Sequence, residues 1–166
     1  RNCANGLRKD IAETLEAMRP AFVRWPGGCV VEGITLSNRI KWKETIGDPV
    51  TRPGVYDTWG YRTTMGFGYH EFLQFCEDIG AGGMFVCNAV KAVSDACKED
   101  EVDSFIEDVL DVIDYALGDG TTEWSRKRVE NGHPAPFPLK YVEIGNENWG
   151  PVYEKRYDKF YKAIKE

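Results

Sequence analysis

Three apolar runs recur along the chain with helical patterns between them: "AFVRWP" over 21–26, "MFVCNAV" over 84–90 and "KYVEIGNE" over 140–147. Nothing else in the sequence restricts the fold as much. Strands separated by helix-length segments pair in parallel, because a parallel neighbour needs a long crossover and a hairpin cannot supply one. The intervening patterns are clear. Leu7, Ile11, Leu15 and Met18 share one helical face, closed by Pro20. Tyr69 to Ile79 turns Phe72, Leu73, Phe75, Cys76 and Ile79 inward and stops at Gly80. Glu101 to Leu117 carries the strongest periodicity, through Val102, Phe105, Ile106, Val109, Leu110, Ile113, Ala116 and Leu117, and Gly118 ends it. A polar loop rich in Gly, Pro and Arg follows. Tyr153, Tyr157, Phe160, Tyr161 and Ile164 mark a last amphipathic helix. Between Gly27 and about Gly68 no period is visible, and a loop that long in a compact domain is often functional.

This order fits two α/β architectures, an open doubly wound sheet or part of a (β/α)8 barrel. Both place their sites at the C-terminal ends of the strands. The 166 residues suffice for one domain, spanning 1–166. With 42% hydrophobic and 29% charged residues the composition is that of a folded, water-compatible chain. No apolar run approaches the roughly 18–20 residues of a membrane helix. A net charge of -6 argues against a nucleic-acid partner, whose phosphates attract a basic face. Acid concentrates between Lys98 and Asp119, including Asp100, Glu101, Asp103, Glu107, Asp108, Asp111 and Asp114. It lacks the spacing of a calcium loop and reads as a solvated helix face. Cysteines at 3, 29, 76, 87 and 97 are odd in number and form no Cys-x-x-Cys. They read as small buried residues in a reducing setting, and neither zinc nor a disulfide framework is expected. The chain opens Arg1-Asn2-Cys3, without initiator Met or signal peptide, and stops inside a helical pattern at Glu166. A fragment of a longer chain is therefore expected, either cytoplasmic or secreted.

At the strand ends stand Arg24 followed by Pro-Gly-Gly-Cys, then Asn88, then Asn146 and Glu147. A carboxyl at such an end can serve as a general acid, an amide can hold a sugar hydroxyl, and Arg24 can hold a second carboxylate in ionised form or simply pair with a barrel acid. Gly82-Gly83 precedes a strand, so it is no phosphate loop, and no dinucleotide fingerprint occurs. His70 and His133 are isolated and read as surface or satisfied histidines. Cys29 has no His nearby in sequence and reads as a packing or lining residue rather than a nucleophile.

Taken together, "RWPGGCVVEG", "WKETIG", "RPG", "TWGYRTTMGFGYHEFLQFCEDIGA" and "YVEIGNENWG" resemble glycoside hydrolase family 51, the α-L-arabinofuranosidases, from about Gly6 to the end. The resemblance implies a partial (β/α)8 TIM barrel, about strands two to four with flanking helices, strand one and strands five to eight being absent. It implies Glu147 as the acid/base of a retaining mechanism, Asn146 on the sugar's 2-hydroxyl, Arg24 near the nucleophile, Cys29 lining the arabinose subsite and Trp59 facing the cleft. The alternative for Trp59 is a buried loop anchor. Asn88 closes strand three, where Asn88-Ala89-Val90 departs from the family's Asn-x-Gly, and Asp48 interrupts the usual Ile-Gly-Pro. The implied partner is an arabinose-containing oligo- or polysaccharide, with no cofactor or metal. The family's nucleophile, a Glu closing strand seven, has no counterpart here, so the isolated chain is expected to be inactive. Other readings are a non-catalytic carbohydrate-binding remnant, a structural fragment completed by another chain or by self-association, or a β-xylosidase or endoglucanase of the same clan.

Overall fold

The computed structural model describes residues 5–93 and 101–166. Cys3, Cys97, Lys98 and Asp100, weighed above, lie outside the described residues. Strands β1 (Phe22–Trp25), β4 (Gly82–Cys87) and β5 (Leu139–Ile144) form one parallel sheet in the order β1-β4-β5. Helices α1 (Lys9–Ala17), α2 (Tyr69–Asp78), α3 (Val102–Leu117), α4 (Glu123–Glu130) and α5 (Pro151–Lys165) accompany it. A short antiparallel hairpin, β2 (Val55–Tyr56) with β3 (Arg62–Thr63), stands apart within the long β1–α2 connection.

Strand alternation sorts the side chains. Trp25 and Phe85 face the helices, where Trp25 stacks on Phe72 at 5.8 Å between ring centroids and Tyr69 meets Phe85 at 5.3 Å. Trp42, from the long connection, joins this core against Tyr69, Tyr115 and Trp124, and its indole N–H donates to the Asp108 carbonyl at 3.1 Å. Phe22, Arg24, Tyr141 and Glu143 occupy the opposite face of the sheet. Phe22 and Tyr141 meet edge to face there and remain 45% and 48% exposed, so this apolar face is uncovered.

Several expectations change. The second strand begins at Gly82, not Met84, so Gly82-Gly83 belong to it. Packing explains why glycine is used: a Cβ on Gly83 would lie 3.2 Å from the Leu73 side chain, and one on Gly82 would lie 2.8 Å from that of Lys140. The strand also ends at Cys87, with Asn88 to Val90 in the loop beyond. Helix α1 forms, but its apolar face is not buried; Met18 is 71% exposed, and Ile11 and Leu15 only border an open groove with Phe67 and Phe75. The long connection is not structureless. Arg52 of the Arg-Pro-Gly motif is buried in it, pairs with Glu71 at 2.7 Å and donates to the Met65 and Gly47 carbonyls, while Glu71 accepts from the Gly68 N–H. In the acidic run, Asp108 and Asp111 are not simply solvated, since both pair with Lys43.

Helix α4 falls where a polar loop was expected. Its sequence, EWSRKRVE, has no apolar stripe, so periodicity could not reveal it. A buried cation holds it instead. The fully buried Arg128 donates to the carbonyls of Tyr115, Gly118, His133 and Pro134 at 2.8–3.1 Å. Positive charge suits the C-terminal end of α3, where free carbonyls gather. Arg128→Met would strand four carbonyls, so urea denaturation should show a stability loss of about 3 kcal/mol or more. A loss within about 0.5 kcal/mol would mean that α4 is held by its other contacts.

Candidate active site

At the C-terminal end of β1, Arg24 reaches across β4 to β5. Its Nε and Nη2 donate to the two carboxylate oxygens of Glu143 at 2.6 Å each, and Nη2 also donates to Asn146 Oδ1 at 2.9 Å. Of the two alternatives for Arg24, the ion pair with a neighbouring strand acid is the one seen, and Arg24 touches the strand-end amide of Asn146 as well. The Glu143 hydrogen bonds are the main reason the Arg24 pKa rises above its ordinary value, against a desolvation cost, with the charges of Glu143 and Glu147 adding to it. The chain leaves β1 through Pro26, Gly27 and Gly28. Gly27 has φ +73, and a Cβ there would lie 3.0 Å from Arg24 Nη1, so the Pro-Gly-Gly turn makes room for the guanidinium. Cys29, half-buried, follows in a short turn. Burial pushes the thiols of Cys76 and Cys87 up to about 12, which fits packing residues.

Beyond β5 the backbone turns sharply. Gly145 has φ +79 and donates its N–H to the Cys87 carbonyl at 2.9 Å, and a Cβ on it would collide with Asn148 Oδ1. Asn146 is buried; its Oδ1 faces Arg24 and its Nδ2 is buried without a hydrogen-bond partner. Glu147 is exposed and adopts φ +47, a left-handed conformation uncommon for a side chain of its size and frequent where a site over-determines the backbone. Gly150 then turns into α5, whose Tyr153 hydroxyl donates to the Ile144 carbonyl at 2.7 Å and ties the helix to the strand end.

Asn88 stands at the end of β4, but its side chain is occupied. Nδ2 donates to the Val31 and Lys91 carbonyls and Oδ1 accepts from the Lys91 N–H, all at 2.8–2.9 Å. It brackets the loops after β1 and β4. Glu32 is buried at 5% exposure; it accepts from Asn148 Nδ2 at 3.3 Å and lies 3.9 Å from Lys91 Nζ. Trp59 sits at the tip of the β2–β3 hairpin and is 66% exposed, so it is not a buried anchor. Trp149 is exposed as well, with the Lys91 ammonium 5.1 Å from its ring. Both histidines are engaged away from the strand ends. His70 is buried against the Tyr115 hydroxyl at 2.7 Å, and His133 stacks on Phe137 and pairs with Glu77. Among the described residues no group of three or more His, Cys, Asp or Glu is placed to hold a metal ion, and no helix is long and apolar enough to cross a membrane.

A carboxylate and an amide in tandem at a parallel strand's end, beside a paired arginine, form an arrangement suited to glycoside chemistry. The family model described as alpha-L-arabinofuranosidase 1 domain matches residues 14–166. The chain belongs to this family. It is 42% identical over 163 residues to alpha-L-arabinofuranosidase 1 of Arabidopsis thaliana, covering 97% of this chain and 24% of that protein. It is 39% identical to an extracellular exo-alpha-L-arabinofuranosidase of Streptomyces chartreusis, covering 99% of this chain and 22% of that one. Among solved structures, an arabinose-bound family 51 α-L-arabinofuranosidase, MgGH51, superposes with a TM-score of 0.91 at 37% identity, covering 98% of this chain and 27% of that chain. An arabinose complex of the Thermotoga maritima alpha-L-arabinofuranosidase gives 0.79 at 27% identity, covering 99% and 32%. The chain thus spans about a quarter of the length of the curated relatives it matches.

Glu143, Glu32 and Trp149 are not among the site residues expected from the sequence of this arabinofuranosidase domain. A signal for Glu143 was present, since alternation puts it on the same sheet face as Tyr141. Glu32 and Trp149 lie in loops, where no period reports burial. The bracket around Asn88 has a measurable consequence. Asn88→Ala should cost about 2–3 kcal/mol in urea denaturation, because it removes three hydrogen bonds and strands their backbone partners. Unchanged stability would show that the loops are held without it.

Proposed function

We propose that this chain carries the acid/base half of the centre of a retaining α-L-arabinofuranosidase that removes terminal arabinofuranosyl residues from arabinan- or arabinoxylan-type glycans. The observation that carries the reading is the end of β5: Asn146 is fixed by Arg24, and the next residue, Glu147, is turned out of the strand in a left-handed conformation. The names of the relatives and the arabinose complexes support the sugar class.

In this reading β1, β4 and β5 are strands two to four of a (β/α)8 barrel. The uncovered sheet face with Phe22 and Tyr141 belongs to the barrel interior. The far side of β5 borders a groove of about 430 Å³ whose lining includes Leu117, Tyr157 and Tyr161 together with Lys140 and Lys165, which suits a following strand and helix. Glu147 protonates the oxygen of the departing group and afterwards takes a proton from the water that attacks the glycosyl-enzyme. Asn146 offers its free Nδ2 to a sugar hydroxyl. Cys29 lines the arabinose pocket, Trp59 faces the cleft from the hairpin, and Asn88 acts by holding two site loops.

A retaining enzyme needs a second carboxylate about 5–5.5 Å from the first. Glu143 is committed to Arg24, and Glu32 to Lys91 and Asn148, so neither stands free as a nucleophile. The nucleophile then comes from outside this segment.

The test grafts residues 14–166 into the homologous stretch of the full-length Arabidopsis relative. The graft should hydrolyse arabinofuranosides, and the 166-residue chain alone should not. In the graft, Glu147→Ala should lower kcat/KM on a natural arabinoside by about 10²–10⁴-fold and on an activated aryl arabinoside far less, because a good leaving group needs no acid. Equal losses on both substrates would remove Glu147 from the role.

A further inference from the structure

We infer that Glu143 is a positioning residue for this site: through Arg24 it sets which end of the Asn146 amide faces the substrate. This rests on the proposed arabinofuranosidase reading and extends it to a residue that touches no substrate itself.

The argument starts from the guanidinium. Arg24 has five N–H donors in one plane and no acceptor. Glu143 takes the Nε hydrogen and one Nη2 hydrogen in a side-on fork, both at 2.6 Å. Such a two-point contact fixes the plane and the rotation of the group together, which a single hydrogen bond or a point charge cannot do. The second Nη2 hydrogen is then aimed by geometry, and it meets Asn146 at 2.9 Å. Because Arg24 can only donate, the Asn146 atom facing it must be Oδ1. The NH₂ end is left turned the other way, buried and without a hydrogen-bond partner. A buried, unpartnered donor is costly, so it persists where a ligand satisfies it.

Glu143 also has an electrostatic part. The Arg24 and Glu143 side chains are 35% and 33% exposed on the uncovered sheet face, and Arg24 lies close enough to Glu147 to feel its charge. The carboxylate of Glu143 balances that cation. Without it, Arg24 would be free to swing toward Glu147, and the Asn146 amide would lose the contact that holds its orientation.

The experiment is a double-mutant cycle in the graft, with Glu143→Gln, Asn146→Ala and the pair together, followed by kcat, KM and thermal midpoint. Gln presents one acceptor and one donor where two acceptors stood, so the fork is lost while the volume stays. Glu143→Gln alone should lower kcat/KM by about 10-fold or more, mainly through kcat, and in the Asn146→Ala background it should cost less than about 2-fold. The thermal midpoint should move by less than about 2 °C, as for a partly exposed pair. Glu143→Asp keeps the charge and should restore part of the loss. An undiminished loss in the Asn146→Ala background, or near-normal kcat/KM for Glu143→Gln, would overturn the assignment. Failure of both Glu143 variants to fold would also overturn it, in favour of a purely structural ion pair. An inactive parent graft would instead strike the arabinofuranosidase reading, so the two failures are told apart.

Discussion

Arg24 is the contact on which the site depends. It leaves the first strand of the sheet, crosses β4 and binds Glu143 of the last strand and Asn146 in the turn just after it, so one side chain joins the two outer strands at their C-terminal ends. Backbone pairing alone would leave the register of β1 and β5 to two separate ladders. The fork to Glu143 and the contact to Asn146 add a direct link between them. The Pro-Gly-Gly turn follows from this, because Gly27 leaves the space that the guanidinium fills. The polar cluster sits at the end of an otherwise apolar strand because three parallel strands bring their ends to one edge, where backbone groups run out of strand partners and side chains take over.

The rest of the molecule keeps that edge still. Asn88 clamps the loops after β1 and β4, Glu32 receives Asn148 from the loop after β5, and Tyr153 returns from α5 to the Ile144 carbonyl. Arg52 and Glu71 close the long β1–α2 connection against the start of α2. The outer layer is conventional aromatic packing around Trp25, Trp42 and Tyr69. The inner face is different, with Phe22 and Tyr141 in the open, as expected of a segment whose sheet continues into further strands in the proposed barrel.

The parallel α/β character was legible because strand and helix periods differ and alternate along the chain. The strand-end residues were legible because Asn146 and Glu147 interrupt an apolar run that has no packing use for them. What could not be read depends on three-dimensional neighbours. Helix α4 rests on one buried arginine, which looks like any surface cation in a polar stretch. Gly82 and Gly83 stand before the apolar run in sequence, yet they are strand residues in close approach to Lys140 and Leu73. The apolar face of α1 is periodic but largely uncovered, since periodicity shows which face is apolar and not what lies against it. Glu32 and Glu143 appeared as ordinary acids because their partners are more than fifty residues away in sequence.

Azide rescue tests the central claim, that Glu147 is the acid/base of a retaining centre, most directly. Without the acid/base, an activated aryl arabinofuranoside can still load the enzyme, but water then attacks slowly for want of a base. Azide needs no base and should intercept the glycosyl-enzyme. The Glu147→Ala graft should therefore recover turnover with azide and yield arabinofuranosyl azide of the same anomeric configuration as the substrate, read by proton NMR. Azide of inverted configuration would mark Glu147 as the nucleophile, and an absence of rescue would contradict the acid/base assignment.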